Sequence, residues 1–261
     1  DGSKAIGAGE YLLPGEVILK AGESYQAPRA VASFSDEGLD GLTQNHYDWI
    51  RGRSNHITKV RPRPLTLNMW EAVYFNHSFE GIKKIVDKAA EIGVERVVLD
   101  DGWFGARRND RLGLGDWVVS KDVWPDGLQP IIKYINDKGI EFGLWFEGEM
   151  VNADSDLYRA HPDWILQEPG RIPVEGRWQQ GLDLTKEGAY NHVLNQVDAV
   201  LNENNIAYIK WDHNRHLSDP ISDGRPVVRK QTEAIYRLFD ELKRRHPGLE
   251  IESCASGGGR V

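Results

Sequence analysis

The sequence has little sulfur, no long hydrophobic run and no surplus of positive charge. One cysteine among 261 residues excludes an internal disulfide and suits a reducing compartment. Nowhere do about 18 apolar residues follow one another, the length that a membrane-spanning helix needs. The net charge of −8 disfavours a polyanionic partner. We therefore predict a cytoplasmic protein that binds neither membranes nor nucleic acids.

Several ligand-binding motifs are also missing. The sequence has no G-x-S-x-G, no G-x-x-x-x-G-K-[ST] and no complete G-x-G-x-x-G. His213 and His216 form an H-x-x-H pattern, but on a loop and without matched further ligands this is only a weak indication of zinc. The sequence therefore predicts no metal site of this kind.

The chain divides at a proline-rich linker, residues 61–64, because each proline biases the preceding residue towards extended backbone. Before it, short apolar runs at 11–15 and 17–22 are broken by proline and glycine, a pattern typical of strands and turns. We predict two domains, residues 1–60 and 61–261.

After Leu65, strand-like and helix-like stretches alternate. This order predicts a parallel sheet with right-handed crossovers, and the absence of an evident topological break favours a (β/α)₈ TIM barrel over a doubly wound sheet. The predicted strands are 65–70, 95–101, 140–147, 181–185, 206–212 and 249–254. Helical patterns lie near 39–49, 79–92, 127–138, 187–204 and 228–245, with a weaker one at 154–160.

Side chains alternate along each predicted strand, so its polar residues share one face. Lys210 and Asp212 lie opposite Trp211, and Trp145 lies opposite Phe146. A parallel strand buried on both faces would instead be continuously hydrophobic. The polar character is strongest at the carboxyl ends of the strands, where the active sites of barrels lie. The pattern therefore predicts an enzyme.

Carboxylates and tryptophans gather at these strand ends. The acids are Asp100, Asp101, Glu147, Glu149, Asp183, Asp212 and Glu252. They could form a glycosidase pair, hold a divalent cation such as Mg²⁺, or pair structurally with lysine and arginine. Tryptophans mixed with aspartates favour a carbohydrate ligand, because sugar C–H faces stack on aromatic rings while sugar hydroxyls need fixed polar partners.

Eight segments, in the same order, resemble glycoside hydrolase family 36, the retaining α-galactosidases or melibiases. They are WEAVYF (70–75), VLDDGWF (98–104), GDW (115–117), WPDG (124–127), FGLWFEGEM (142–150), DLYRAHPDW (156–164), KWDHNR (210–215) and CASGGGR (254–260). The resemblance implies a catalytic barrel in residues 61–261, preceded by the tail of a β-sandwich domain in residues 1–60. It also implies exo-hydrolysis of α-galactosides such as melibiose or raffinose, no cofactor, and a full-length homotetramer.

The resemblance further implies roles for individual residues. Asp212 corresponds to the nucleophile that forms a covalent galactosyl-enzyme. Asp100 and Asp101 correspond to the pair that binds the galactose 4- and 6-hydroxyls, and Cys254 and Gly257 to the part that accepts the 2-hydroxyl. The other substrate-binding positions it implies are Trp70, Trp145, Arg177, Lys210 and Asn214.

The family's acid/base is an aspartate shortly after the glycine-rich stretch, and the sequence ends at Val261 before such a residue. We therefore expect a fragment whose barrel is truncated after about six strands and which is inactive, or nearly so, on natural galactosides. A galactosyl transferase of the raffinose-synthase kind, an Mg²⁺-dependent barrel and a non-catalytic galactose-binding remnant remain alternatives.

Overall fold

The computed structural model of the chain describes residues 2–3, 5–53 and 61–257. The chain forms two compact units, Asp1–Pro64 and Leu65–Val261. None of the helices in the described residues has the length and apolar character that spanning a bilayer requires.

The first unit contains one helix, α1 (Gly38–Gly52), at the position that the helical spacing predicts. The strands predicted at 11–15 and 17–22 are wrong, because no strand occurs in residues 5–53 and each run instead ends in a turn. The turns are closed by Glu16 N–H to Leu13 O and Glu23 N–H to Lys20 O, both 3.0 Å. A strand needs a hydrogen-bonded neighbour, which these runs lack in the described part of the unit. The end of the predicted first domain, 54–60, lies outside the described residues.

The second unit is an α/β fold on a curled parallel sheet. Its strands are β1 (Thr66–Asn68), β2 (Arg96–Leu99), β3 (Glu141–Phe146), β4 (Met150–Asn152), β5 (Gln179–Gly181), β6 (Tyr208–Trp211), β7 (Ile221–Ser222), β8 (Arg225–Pro226) and β9 (Glu250–Ser253). Its helices are α2 (Trp70–Val73), α3 (Phe79–Glu91), α4 (Gln129–Asn136), α5 (Asp156–Ala160), α6 (Glu187–Glu203) and α7 (Val228–Arg245), with a 3₁₀ turn at Pro162–Trp164. The parallel sheet has five strands in the order β1-β2-β3-β6-β9.

Helices connect successive strands along the chain, and each helix buries one of its faces against the sheet. Ile82 of α3, Ile131 of α4, Val193 of α6 and Leu238 of α7 are all almost fully buried in one hydrophobic core. Amphipathic helices that alternate with parallel strands give this layered arrangement, because each helix covers the apolar face of the sheet. The predicted helices of this unit are confirmed, with ends that differ by a few residues.

The predicted strand 181–185 is wrong as a member of the parallel sheet. Only Gly181 is in a strand, β5, which pairs antiparallel with β4 away from the five-stranded sheet. After it the chain turns, because the Asp183 carboxylate accepts hydrogen bonds from Thr185 N–H (3.1 Å) and Oγ1–H (2.5 Å) just before α6. Residues 61–257 therefore contribute five strands to the parallel sheet, not six. The first strand is also shorter than predicted, since Trp70 already begins α2.

Arg96 links three strands at the amino-terminal edge of the sheet. Its Nη2 lies 2.7 Å from Glu141 Oε2 on β3 and 2.8 Å from Glu250 Oε2 on β9, and its guanidinium lies over the Tyr208 ring. Strands β3 and β6 separate β2 from β9, and neighbouring strands lie about 4.8 Å apart. The Arg96–Glu250 ion pair therefore reaches across the concave face of a curled sheet.

Replacing Arg96 with alanine should destabilise this unit, because two carboxylates would lose the cation they share. We expect the free energy of unfolding to fall by about 2–4 kcal/mol, as for a buried ion pair that loses one partner but keeps partial solvation. Urea unfolding followed by tryptophan fluorescence measures this. Lys88→Ala, which removes an exposed pair with Glu91, is the control and should cost less than about 1 kcal/mol. Equal losses in the two variants would contradict the assigned role.

Candidate active site

A cavity of about 560 Å³ opens at the carboxyl ends of the parallel strands. Every residue to which the resemblance assigned a role lines it: Trp70, Asp100, Asp101, Trp145, Arg177, Lys210, Asp212, Asn214, Cys254 and Gly257. Residues that the resemblance did not name complete the lining: Glu71, Arg107, Glu147, Gln179 and Ser256. The structure therefore brings the predicted site residues together in one place.

The sheet itself places these side chains next to one another. Asp100, Asp212 and Cys254 each follow the last residue of a strand. The backbone ladder continues past β6 and β9, since Asp212 N–H donates to Phe146 O at 2.7 Å and Cys254 N–H to Trp211 O at 2.8 Å. Residues just beyond neighbouring parallel strands thus converge at one edge.

Asp212 is buried but well supplied with hydrogen bonds. Its Oδ2 accepts from Trp145 Nε1 at 3.0 Å, and its Oδ1 accepts from His213 N–H at 3.0 Å. Burial raises the pKa of Asp212, but hydrogen bonds from Trp145, Asn214 and Cys254 and the charge of Lys210 outweigh it and leave the pKa below its ordinary value. Asp212 is therefore a carboxylate at neutral pH, the form that a nucleophile requires.

Side chains from two other strands hold Asp100: Asn68 of the adjacent β1 and Lys210 of β6, which β3 separates from β2. Its Oδ2 accepts from Lys210 Nζ at 2.9 Å and from Asn68 Nδ2 at 2.6 Å. Burial lowers the pKa of Lys210, but the Asp100 and Asp212 charges more than offset this and raise it above the ordinary value. Lys210 is therefore a permanent cation beside both carboxylates. Asn68 was missed from the sequence because an amide on a strand carries no distinctive signal.

Asp101 forms a buried bidentate ion pair with Arg107. The guanidinium donates from Nε at 2.9 Å and from Nη2 at 2.7 Å, and its Nη1 donates to Asn152 Oδ1 at 3.0 Å. Arg107 is only 2 % exposed although it follows β2 in an irregular loop. Sequence periodicity does not apply to such a loop, so nothing in the sequence indicated that Arg107 belongs to the site. Asp101 therefore faces the cavity paired with a cation, although burial outweighs Arg107 and leaves the pKa of Asp101 above its ordinary value.

Glu147 is a buried carboxyl that the sequence grouped with the other strand-end acids without giving it an individual role. Its Oε1 accepts from Asn214 N–H at 2.5 Å, and its Oε2 accepts from Gln179 Nε2 at 3.0 Å. Burial raises the pKa of Glu147 to about 7, and the charges of Asp212 and Asp101 act in the same direction. Strand alternation had placed Glu147 on the same face as Trp145, so that signal could have identified it.

The remaining predicted residues form the walls and edge of the cavity. Trp70 packs edge-on against Phe75, with ring centroids 5.1 Å apart. Arg177 is exposed, and its Nη1 lies 3.4 Å from Asn214 O. Gly257 N–H lies 3.5 Å from Cys254 Sγ. The rest of the predicted glycine-rich stretch, residues 258–260, lies outside the described residues.

A second cavity, of about 880 Å³, shares Arg177, Asn214 and Ser256 with the first. The carboxylates that converge from β2, β3 and β6 line the smaller cavity, so we take the smaller one as the candidate active site. In residues 61–257 no three His, Cys, Asp or Glu side chains are arranged to hold a metal ion.

Comparison with known proteins identifies the family. The sequence model of the melibiases matches residues 24–261. The chain belongs to the melibiase family. The resemblance inferred from the eight segments is therefore confirmed.

Relatives of this melibiase-family chain are named α-galactosidases. That of Escherichia coli is 41 % identical over 261 residues, which is 100 % of this chain and 37 % of the relative. AgaA of Geobacillus stearothermophilus is 43 % identical over 250 residues, covering 93 % of this chain and 34 % of the relative. The chain thus spans about a third of the length of these relatives.

The fold agrees with solved structures of the same family. A crystal structure of a glycoside hydrolase family 36 AgaA variant from Geobacillus stearothermophilus, in complex with stachyose, has a TM-score of 0.87 and 42 % sequence identity. The matched region covers 93 % of this chain and 35 % of the chain in that crystal structure. The curled parallel sheet of the second unit is thus the half-barrel of a family 36 catalytic domain.

The raised pKa of Glu147 predicts a pH-dependent stability. The native chain holds a proton up to about pH 7 that an unfolded glutamate loses near 4.5, so the wild-type free energy of unfolding falls over that interval. Glu147→Gln removes this titration. We expect its stability relative to wild type to improve by on the order of 3 kcal/mol between about pH 4 and about pH 8.

Urea unfolding across this pH range measures the difference. The control is Glu80→Gln, at an exposed position on α3. The free energy of unfolding of this variant should change with pH as that of the wild type does. A constant difference between Glu147→Gln and wild type at all pH values would contradict the prediction.

Proposed function

We propose that the protein is a retaining exo-α-galactosidase that hydrolyses terminal α-D-galactosyl residues through a covalent intermediate on Asp212. The observation that carries the proposal is an ionised, hydrogen-bonded Asp212 in a cavity walled by carboxylates and tryptophans. The names of the relatives agree with this activity and favour a hydrolase over a galactosyl transferase.

In the first step an Asp212 carboxylate oxygen bonds to the anomeric carbon while the bond to the leaving oxygen breaks. The leaving oxygen takes a proton from a general acid, and water then hydrolyses the galactosyl ester with the help of the conjugate base. Trp145 and the His213 N–H orient the nucleophile. By the family resemblance, the acid/base is an aspartate after the glycine-rich stretch and is not among residues 1–261.

Substrate recognition follows from the polar groups of the cavity. Asp100 and Asp101 have fixed orientations and charges balanced by Lys210 and Arg107, so we propose that they accept hydrogen bonds from the galactose 4- and 6-hydroxyls. Cys254 and Gly257 would lie near the 2-hydroxyl, while Trp70 and Trp145 would contact the ring. AgaA, the relative, has been crystallised with stachyose and with raffinose. We propose galactosides of this class, including melibiose, as substrates.

The resemblance supports a wider proposal for the whole protein. The five parallel strands would be part of a (β/α)₈ barrel, and residues 1–60 would be part of a preceding β-sandwich domain. The complete protein would be a cytoplasmic homotetramer. Expression of a longer natural chain and measurement of its mass in solution tests the last point.

Incubation with an activated galactoside whose leaving group needs no acid tests the nucleophile. Intact-mass spectrometry should show one added hexose on this chain and none on Asp212→Ala, because only an Asp212 oxygen would form the ester. Asp126→Asn, at an exposed position, is the control and should label like the wild type. Galactose binding without an adduct on any chain would favour the non-catalytic remnant.

Chelation tests the metal-dependent alternative. We expect EDTA to change neither galactose affinity nor the rate of labelling, because Lys210 and Arg107 already balance the cavity carboxylates. Calorimetric titration of galactose before and after EDTA, and after added Mg²⁺, measures this. A loss on chelation that Mg²⁺ restores would support the metal-dependent barrel instead.

A further inference from the structure

Glu147 holds together two segments that border the candidate nucleophile. Its side chain is 1 % exposed and follows β3, and both of its hydrogen-bond donors are neutral amides. One donor is the backbone of Asn214, two residues after Asp212. The other is the side chain of Gln179 on β5, whose backbone oxygen in turn accepts from Arg215 Nη1 at 3.0 Å. Glu147 therefore joins the end of β3 to the loop after β6 and to the antiparallel β4–β5 pair.

The backbone that Glu147 holds also orients Asp212. The Asp212 Oδ1 accepts from His213 N–H, the residue between Asp212 and Asn214. A shift of the Asn214 N–H would move this donor and change the direction of the Asp212 carboxylate. A buried N–H without its acceptor is also unfavourable, so removal of the Glu147 carboxyl would favour such a shift.

We propose that Glu147 is a positioning residue for Asp212, which fixes the backbone of residues 212–214 and takes up a proton when a sugar fills the cavity. The identity of the sugar rests on the function proposed above. The contacts that Glu147 makes within the protein do not depend on that proposed function.

The charges around Glu147 explain the coupling to a proton. Acidic and basic groups face the same cavity from every surrounding segment: Glu71, Asp100, Asp101, Arg107, Arg177, Lys210, Asp212 and Cys254. Burial raises the pKa of Glu147 to about 7 and nearby carboxylates add to this, whereas the Asn214 N–H and Arg107 oppose it. A neutral sugar would displace water from the cavity and disfavour the ionised form further. Sugar affinity should therefore fall as the pH rises through neutrality.

Three variants of the full chain test the proposal. Glu147→Ala should weaken galactose binding about tenfold and speed hydrogen exchange at the Asn214 amide, because both amide donors lose their acceptor. Glu147→Gln keeps an acceptor and should recover most of the lost affinity. Asp116→Asn is the matched control: Asp116 is also buried and accepts from two amides, the Asp156 and Leu157 N–H groups, but it lines neither cavity. Its galactose affinity and Asn214 exchange should match wild type.

The pH dependence separates positioning from a purely structural role. Between about pH 6 and about pH 8 the wild-type affinity for galactose should fall severalfold, whereas that of Glu147→Gln should stay constant. Carbon-13 NMR of the glutamate carboxyls should show one resonance that titrates near neutrality and is absent from Glu147→Gln. Asp212→Asn should lower its midpoint, because a neighbouring negative charge is removed.

Two results would overturn the proposal. One is an Asn214 exchange rate in Glu147→Ala equal to that of wild type, and the other is a Glu147 midpoint that Asp212→Asn leaves unchanged. Failure of the wild-type chain to bind galactose at any pH would instead count against the proposed function. The exchange and NMR measurements need no sugar and still decide whether Glu147 positions Asp212.

Discussion

The concentration of negative charge at the carboxyl ends of the strands is the constraint on which the cavity depends. Asp100, Asp101, Glu147 and Asp212 are each at most 5 % exposed and line one space. Buried carboxylates are costly unless they are paired or supplied with hydrogen bonds. These four carboxyls are stabilised in different ways, and these differences determine which of them is ionised at neutral pH.

Cations balance two of the four, and neutral donors serve the others. Lys210 balances Asp100, and Arg107 balances Asp101. Asp212 stays ionised because an indole N–H and a backbone N–H donate to it beside Lys210. For Glu147, two amide donors do not offset burial, so its proton is retained to near neutrality. Two buried carboxyls with such different affinities for a proton are typical of enzyme sites.

The sheet carries a similar arrangement at its other end. There the Arg96 guanidinium reaches Glu141 and Glu250 across the concave face, whereas at the carboxyl end Lys210 reaches Asp100. The Arg96–Glu250 and Lys210–Asp100 pairs each join strands that are not neighbours in the sheet, whereas Arg96 and Glu141 lie on the adjacent strands β2 and β3. A flat sheet would hold these groups farther apart, so the curl of the half-barrel and the ion pairs support each other.

The sequence by itself determined the family, the alternation of strands and helices, and which polar residues lie near the carboxyl ends of the strands, because hydrophobic period and local motifs are properties of consecutive residues. It placed Asp212, Asp100 and Trp145 correctly at the cavity. It failed for residues 181–185, where an alternating apolar pattern hid a turn made by Asp183, and for 11–22, where no neighbouring strand exists in the described residues.

Only the tertiary structure decided which partners those residues meet. Arg107, Asn68 and Gln179 join the site through contacts between residues 6 to 32 positions apart, which no local pattern encodes. The proton affinity of Glu147 likewise depends on burial and on Asp212, 65 positions further along the chain. Charge and burial are set by packing, and packing is a property of the folded chain.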